Sequence, residues 1–282
     1  MMQIVECPRD AMQGWKHPIA TADKIRYINS LLQVGFHTID FGSFVSPKAI
    51  PQMADTSEVL AGLHVTSTSS KLLAIVANTK GAEDAVVFPE ISYLGFPFSV
   101  SPTFQQRNTN STQLESIERI KKIQDICLKN KKQLVVYLSM GFGNPYGDDY
   151  NEEILFKWAD EMINLDVRIL SLADTVGLAT AQQISFALNA LIPQYRNVTI
   201  GVHLHASASN WQHKLQAAID AGCQRFDGAL KGIGGCPMAQ DDLVGNMDTV
   251  NILDLLQEQK KLSNIDFNAL QKSLQIASEI FI

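Results

Sequence analysis

Residues 199–222 read TIGVHLHASASNWQHKLQAAIDAG, and this stretch shows the pattern on which the fold depends. The first seven residues form a short β-branched run, which is typical of a buried strand. From residue 209 onward the apolar residues recur at helical spacing, and Gly222 follows them as a helix stop. The stretch therefore predicts one strand followed by one helix.

Strand-like runs of this kind occur eight times along the chain. They are QIVE (3–6), HTIDF (37–41), KLLAIVA (71–77), ISYLG (91–95), QLVVYLSM (133–140), RILSLAD (168–174), TIGVHLH (199–205) and QRFDGAL (224–230). Helical patterns separate most of them, and Thr21, Asn151 and Thr180 are predicted N-caps of three such helices. Alternating strands and helices indicate parallel strands with crossover helices. We predict an α/β fold, a single (β/α)8 TIM barrel over residues 1–282 with an extra C-terminal helix within 264–282.

Composition excludes several classes of protein. The 282 residues include 23 Lys and Arg against 29 Asp and Glu, a formal net charge of −6, so nucleic acid is not an expected partner. The first residues lack the pattern of a signal peptide, and no run of about 18 apolar residues occurs. The four cysteines form no CxxC pair, which argues against a disulfide scaffold or a thiolate zinc site. We therefore expect a cytoplasmic protein with reduced thiols and no membrane contact.

Polar residues follow the carboxyl ends of several predicted strands. They are Arg9, Asp10, Asp40, Asp174, His203, His205, Cys236 and Asn246. In a (β/α)8 barrel these strand ends share one face, where catalytic groups lie. Taken singly, each Asp could instead cap a helix, and Arg9 could belong to a structural ion pair. Their convergence on one face favours an active site.

His203 and His205 are two residues apart on a predicted strand, so both imidazoles should point into the barrel mouth. With an Asp from another strand and an amide oxygen they would form a mixed nitrogen and oxygen site. Such a site suits octahedral Mg²⁺ or Mn²⁺ better than tetrahedral zinc. The alternative is a pair of hydrogen-bonded core histidines, because an HxH pair alone does not establish a metal site.

Residues 228–246, GALKGIGGCPMAQDDLVGN, place five glycines around Cys236. A glycine-rich loop can bring a thiol over a site, whereas the usual alternative is a buried, inert cysteine. Cys127 and Cys223 fall within or at the end of helical patterns and are expected in the core. Cys7 stays undecided, because it lies on or just after the first strand.

Several motifs resemble the hydroxymethylglutaryl-CoA lyases, metal-dependent barrel enzymes related to isopropylmalate and homocitrate synthases. The motifs are PRDAMQ (8–13), SFVSPKAIPQMAD (43–55), ADTVG (173–177), HLH (203–205), and GIGGCP (232–237) followed by GN (245–246). The resemblance covers nearly the whole chain. SFVSPK, PQMAD and GGCP are similar to the lyases rather than to the synthases.

The resemblance implies a role for each candidate residue. The implied ligands of a divalent metal, Mg²⁺ or Mn²⁺, are Asp10, His203, His205 and Asn246. The implied catalytic residues are Arg9 at the thioester carbonyl, the loop residue Cys236, the active-site residue Asp174, and Asp40, which stands where the family has Glu. The implied companions at the substrate are Gln13, Ser43 and Lys48.

Three departures from the family pattern bear on rate and acyl preference. The HxHD motif of the family reads HLHA here, so Ala206 removes a carboxylate. Cys7 and Ala11 flank the first motif, where the family usually has Gly before PRD. The spacing from Cys236 to Asn246 is one residue longer than in the family.

The implied reaction cleaves 3-hydroxy-3-methylglutaryl-CoA to acetyl-CoA and acetoacetate. The general base remains open among Asp10, Asp174 and a ligand histidine. Three alternatives also remain: a lyase for another 3-hydroxyacyl-CoA, an acetyl-CoA-dependent condensing synthase, and a metal-binding barrel without activity. An acyl-CoA is the expected partner, and a homodimer is compatible with the sequence.

Overall fold

Eight parallel strands close into a barrel in chain order in the computed structural model, which describes residues 2–235, 244–262 and 264–282. The strands are β1 (Gln3–Glu6), β2 (Thr38–Ser43), β3 (Lys71–Ile75), β4 (Ile91–Ser99), β5 (Gln133–Ser139), β6 (Ile169–Ala173), β7 (Thr199–His203) and β8 (Arg225–Gly228). β8 pairs with β1, with Ile4 opposite Phe226, and this pairing completes the ring. The predicted (β/α)8 barrel is confirmed, and every predicted run overlaps one strand.

Helices surround the barrel. The α-helices of the described chain are α1 (Pro8–Gln13), α2 (Thr21–Leu31), α3 (Thr56–Ala61), α4 (Thr79–Val86), α5 (Pro102–Thr109), α6 (Gln113–Lys129), α7 (Glu152–Asn164), α8 (Ala181–Gln194), α9 (Trp211–Asp220), α10 (Thr249–Glu258) and α11 (Phe267–Ile280). The predicted C-terminal helix is α11, which packs on α2 at the outer face of the barrel. Within the described ranges, no helix is long and apolar enough to cross a lipid bilayer.

Capping side chains define several helix starts. The side chains of Asn151 and Thr180 accept backbone hydrogen bonds at the starts of α7 and α8, as predicted. The prediction for Thr21 was wrong by one residue, because Ala20 is the N-cap of α2 and Thr21 is its first helical residue. The Thr21 hydroxyl donates instead to the carboxylate of Asp55, at 2.7 Å. Ala20 has the extended backbone of an N-cap, with φ −63° and ψ 144°, whereas Thr21 already lies in the first turn of α2.

Two apolar regions hold the barrel together. The larger lies between the strands and the surrounding helices, and a smaller cluster inside the barrel contains Leu73, Val135, Tyr137 and Ile169. Inside the barrel, Gly201 leaves room for the large side chain of Arg225. A Cβ added at Gly201 would lie only 2.8 Å from Cγ of Arg225, too close for normal packing. The interior therefore holds a charged side chain as well as apolar ones, and this side chain starts from the amino end of β8.

Candidate metal and substrate site

A cavity of about 440 Å³ opens at the carboxyl ends of the strands. Six of the predicted site residues line it: Arg9, Asp10, Gln13, Ser43, His203 and His205. Its apolar wall includes Ile75, Pro97, Phe104 and Tyr137. The cavity thus combines an apolar wall with a small set of convergent polar groups, which is typical of small-molecule sites.

Asp10 is the centre of the polar group. It lies in the short helix α1, and its Oδ1 accepts hydrogen bonds from Arg9 Nη1 and Gln13 Nε2, each at 2.8 Å. Its Oδ2 accepts one from Asn246 Nδ2 at 2.7 Å. Burial alone would raise the pKa of Asp10, but the Arg9 guanidinium and the nearby histidines outweigh burial and lower it. Asp10 therefore remains a carboxylate, the form that binds a cation.

The two histidines lie side by side at the end of β7, with ring centroids 5.4 Å apart. Nδ1 of His205 lies 2.8 Å from the carbonyl oxygen of Val244, so Nδ1 must carry the proton and Nε2 keeps a lone pair. Burial, with a contribution from His203, lowers the pKa of His205 to about 4. His205 is therefore neutral at physiological pH, as a metal ligand must be.

Asn246 meets these groups from the segment after the glycine-rich loop. It forms an isolated bridge with His205, and its Nδ2 also donates to the carbonyl oxygen of Ile233 at 2.9 Å. Its buried Oδ1 has no hydrogen-bond partner among the described residues. An orphaned buried amide oxygen needs an explanation, and a cation shared with Asp10 and the histidines is one. The donor set of oxygens and imidazole nitrogens fits Mg²⁺ or Mn²⁺.

Arg9 is held from two sides. Its Nε lies 3.0 Å from Asp40 Oδ2, and its Nη2 contacts the same oxygen at 2.5 Å. Asp40 is fully buried behind Arg9, and burial raises its pKa to about 6 although the guanidinium opposes that shift. Asp40 thus fixes the orientation of Arg9 at the cavity wall.

Asp174 lies behind the wall, while its neighbours Ala173 and Thr175 line the cavity. Its Oδ2 accepts a hydrogen bond from Lys214 Nζ at 2.7 Å, and its Oδ1 accepts one from the backbone of Ala179. Burial raises the pKa of Asp174, and Lys214 opposes that shift. Lys214 also donates to the carbonyl oxygen of His205 at 2.8 Å. This buried ion pair therefore ties β6 to the end of β7.

The three remaining predicted residues differ in their position relative to the cavity. The Ser43 hydroxyl donates to the carbonyl oxygen of Ile75 at 3.3 Å and borders the cavity. Lys48 is exposed on the loop that also carries the lining residue Ala49, so its contact with substrate stays a prediction. Cys236 lies outside the described residues.

Sequence reasoning missed two groups of this site. Asp227, on β8, has its Oδ2 at 3.5 Å from Nδ1 of His203. Tyr137, on β5, lines the cavity and packs edge-to-face against the His203 ring, with ring centroids 5.9 Å apart. Strand alternation on β8 could have indicated Asp227, which shares the side of Arg225. Cys7, left undecided, is buried beside Asp227, and Cys127 and Cys223 are buried as expected.

Comparison with known proteins places these observations in a family. The HMGL-like family model matches residues 2–276. A 3-hydroxy-3-isohexenylglutaryl-CoA/hydroxymethylglutaryl-CoA lyase of Pseudomonas aeruginosa is 31% identical over 270 residues, which are 95% of this chain and 89% of the relative. Hydroxymethylglutaryl-CoA lyase YngG of Bacillus subtilis is 31% identical over 93% of this chain and 87% of its own length.

Comparison with solved structures leads to the same family as comparison of sequences. An HMG-CoA lyase from Brucella melitensis superposes with a TM-score of 0.91 at 29% identity, covering 99% of this chain and 98% of the other. An HMG-CoA lyase from Acinetobacter baumannii in complex with coenzyme A and 3-methylmalate gives a TM-score of 0.91 at 29% identity, covering 100% of this chain and 91% of the other. Given these matches and the site described above, the chain belongs to the HMGL-like family.

Proposed function

We propose that this chain is a lyase that cleaves 3-hydroxy-3-methylglutaryl-CoA to acetyl-CoA and acetoacetate at a divalent-metal site. One observation carries the proposal: Asp10, His203 and His205 line the same cavity as the fixed guanidinium of Arg9. The relatives named as lyases for this substrate, and the homologous structure with coenzyme A, support the choice of substrate.

Asp10, His203, His205 and Asn246 would hold the metal, and a bound Mg²⁺ or Mn²⁺ would supply Lewis acidity toward the substrate oxygens. The chain itself supplies three further functions. Arg9 would stabilise the negative charge that develops on the thioester oxygen when the carbon–carbon bond breaks, because a donor fixed in advance needs no reorganisation. Cys236 would protonate the departing carbon, since a thiol with a pKa of about 8.5 is a workable acid.

The third function is removal of the hydroxyl proton. Asp10 lines the cavity, whereas Asp174 lies behind the wall. Of the two carboxylates, Asp10 is therefore better placed to receive the proton. Asp174 would act by positioning, through Lys214, the backbone at His205.

The cavity suits an acyl-CoA because its walls are largely apolar and its volume lies within the usual range for a small-molecule site, about 300–1,000 Å³. Arg107 borders it with an exposed side chain, where an anionic part of the substrate would leave the cavity. We further propose a cytoplasmic location and a homodimer. The described cysteines are free thiols, which fits a reducing compartment.

The test measures acetyl-CoA and acetoacetate from hydroxymethylglutaryl-CoA with Mg²⁺ or Mn²⁺, against a sample treated with EDTA. His205→Gln should lose activity, and His213→Gln, which changes an exposed histidine on α9, should keep it. Metal-dependent formation of both products supports the proposal. Bound metal without products would contradict it and favour another 3-hydroxyacyl-CoA, the synthase direction or a barrel without activity.

A further inference from the structure

Strand β8 carries two charged side chains into the centre of the barrel. Arg225 and Asp227 are two residues apart, so they point to the same side, and their exposed fractions are 0% and 2%. They lie below the cavity, and neither belongs to the predicted ligand set. Because a buried charge is costly without a partner, Arg225 and Asp227 should each contact a compensating group.

Each oxygen of Asp227 faces a different partner. Oδ1 lies 3.7 Å from Arg225 Nε, and Oδ2 lies 3.4 Å from the Ser171 hydroxyl and 3.5 Å from His203 Nδ1. Nδ1 of His203 is buried and has no hydrogen bond in the described part of the chain. The distance of 3.5 Å to Asp227 Oδ2 is somewhat longer than a full hydrogen bond.

We infer that Asp227 is a positioning residue, which accepts the Nδ1 proton of His203 and so directs Nε2 of this ring to the metal. The inference rests on the proposed metal site. A ligand histidine usually donates its second ring nitrogen to a carboxylate or carbonyl, and this contact selects the tautomer and the ring orientation. The neighbouring ligand His205 has the same arrangement, with the carbonyl oxygen of Val244 as its acceptor.

Arg225 balances the negative charge of Asp227. Its side chain is fully buried, and Asp227 is its ion-pair partner. The guanidinium faces Oδ1 of Asp227 and compensates the buried negative charge, while Oδ2 faces the imidazole of His203.

A different role for Asp227 would be as a direct metal ligand, because ligand atoms of Cys7, His203 and Asp227 lie within 4.8 Å of one another. Two contacts argue against a cation there. The positive charge of Arg225 would repel it, and the Cys7 thiol already donates toward the carbonyl oxygen of Val5. Asp227 is therefore better explained as the partner of His203.

The test is Asp227→Asn, whose amide can donate to Nδ1 and so favours the tautomer that protonates Nε2. Mn²⁺ affinity is followed by the electron paramagnetic resonance of free Mn²⁺. Loss of the carboxylate that holds the second ring nitrogen of a ligand histidine typically weakens metal binding about 10–100-fold. We expect the Kd for Mn²⁺ to rise by that factor. Glu6→Gln is the matched control, since it changes another fully buried carboxylate to an amide outside the proposed ligand set. Its Kd should stay within about twofold of the parent value.

A second measurement does not depend on the variant folding well. Nitrogen-15 spectra of metal-free protein labelled at histidine, at about pH 8.5 to favour neutral imidazole, report the tautomer of His203, with His203→Gln for assignment. Protonated Nδ1 in the parent protein supports the inference, and protonated Nε2 overturns it. If the parent binds Mn²⁺ and Asp227→Asn binds it equally well, the inference alone fails. If the parent does not bind Mn²⁺, the proposed metal site fails and the inference falls with it.

Discussion

Replacing Arg9 by Met should remove most turnover while leaving the proposed metal ligands in place. The guanidinium donates to Asp40 through Nε and Nη2 and to Asp10 through Nη1, so its orientation is set before substrate binds. A preorganised donor at a developing oxyanion contributes about 10²–10³ in rate. We expect kcat to fall by that factor, with Mn²⁺ still bound.

The same substitution should destabilise the fold. Asp40 is fully buried and Asp10 is nearly so, and Arg9 is their shared cation. Removal of one partner from a buried ion pair costs about 3–5 kcal/mol. Because burial already raises the pKa of Asp40 to about 6, loss of the guanidinium should let Asp40 take up a proton at neutral pH. The free energy of unfolding should therefore fall by about 3 kcal/mol, the lower end of this range.

The double variant Arg9→Met/Asp40→Asn separates the two effects. It removes the carboxylate that the single variant leaves unpaired, so urea unfolding should recover by about 1–3 kcal/mol. Turnover should remain low, because the proposed donor to the thioester oxygen is still missing. Near-normal kcat in the single variant, or recovery of kcat in the double variant, would refute the assigned role. Mn²⁺ titration of both variants is the control for intact ligands.

Three further substitutions test other parts of the molecule. Burial raises the pKa of Glu6 from 4.5 to about 8, so between these values the unfolded chain loses a proton that the native chain keeps, and rising pH favours unfolding. Glu6→Gln should remove this pH dependence. By about pH 8 the free energy of unfolding of the variant, measured in urea, should exceed that of the parent by on the order of 4 kcal/mol. Parallel pH profiles of the two proteins would contradict this. Cys236→Ser should bind Mn²⁺ but turn over slowly in a single-turnover assay, and a fully active serine variant would exclude the thiol as the acid. Lys214→Met should lower the free energy of unfolding by about 3–5 kcal/mol by leaving Asp174 unpaired; a urea-melt difference under about 1 kcal/mol would count against that pair.

Sequence periodicity was sufficient for the barrel and for the histidine pair, because both depend on residues close together in the chain. Alternation along an extended chain predicts that His203, the last residue of β7, and His205, two positions beyond it, point to the same side. The family resemblance added the ligand roles of Asp10 and Asn246, whose side chains meet at 2.7 Å although they lie 236 positions apart in the chain. Local capping rules were less dependable, as Thr21 shows: it is the first helical residue of α2, and its hydroxyl donates to Asp55, 34 positions along the chain.

The tertiary structure alone decided which partner each buried acid has. Asp40, Asp174 and Asp227 are equivalent in the sequence, as acids within or just after predicted strands, yet Asp40 pairs with Arg9 and Asp174 with Lys214. A buried carboxylate must find a donor, and barrel closure determines which donors are within reach. The sequence by itself therefore determined the strands, the face of the site and the chemical types present there. The closed barrel determined which acid lines the cavity and which ones position the residues that do.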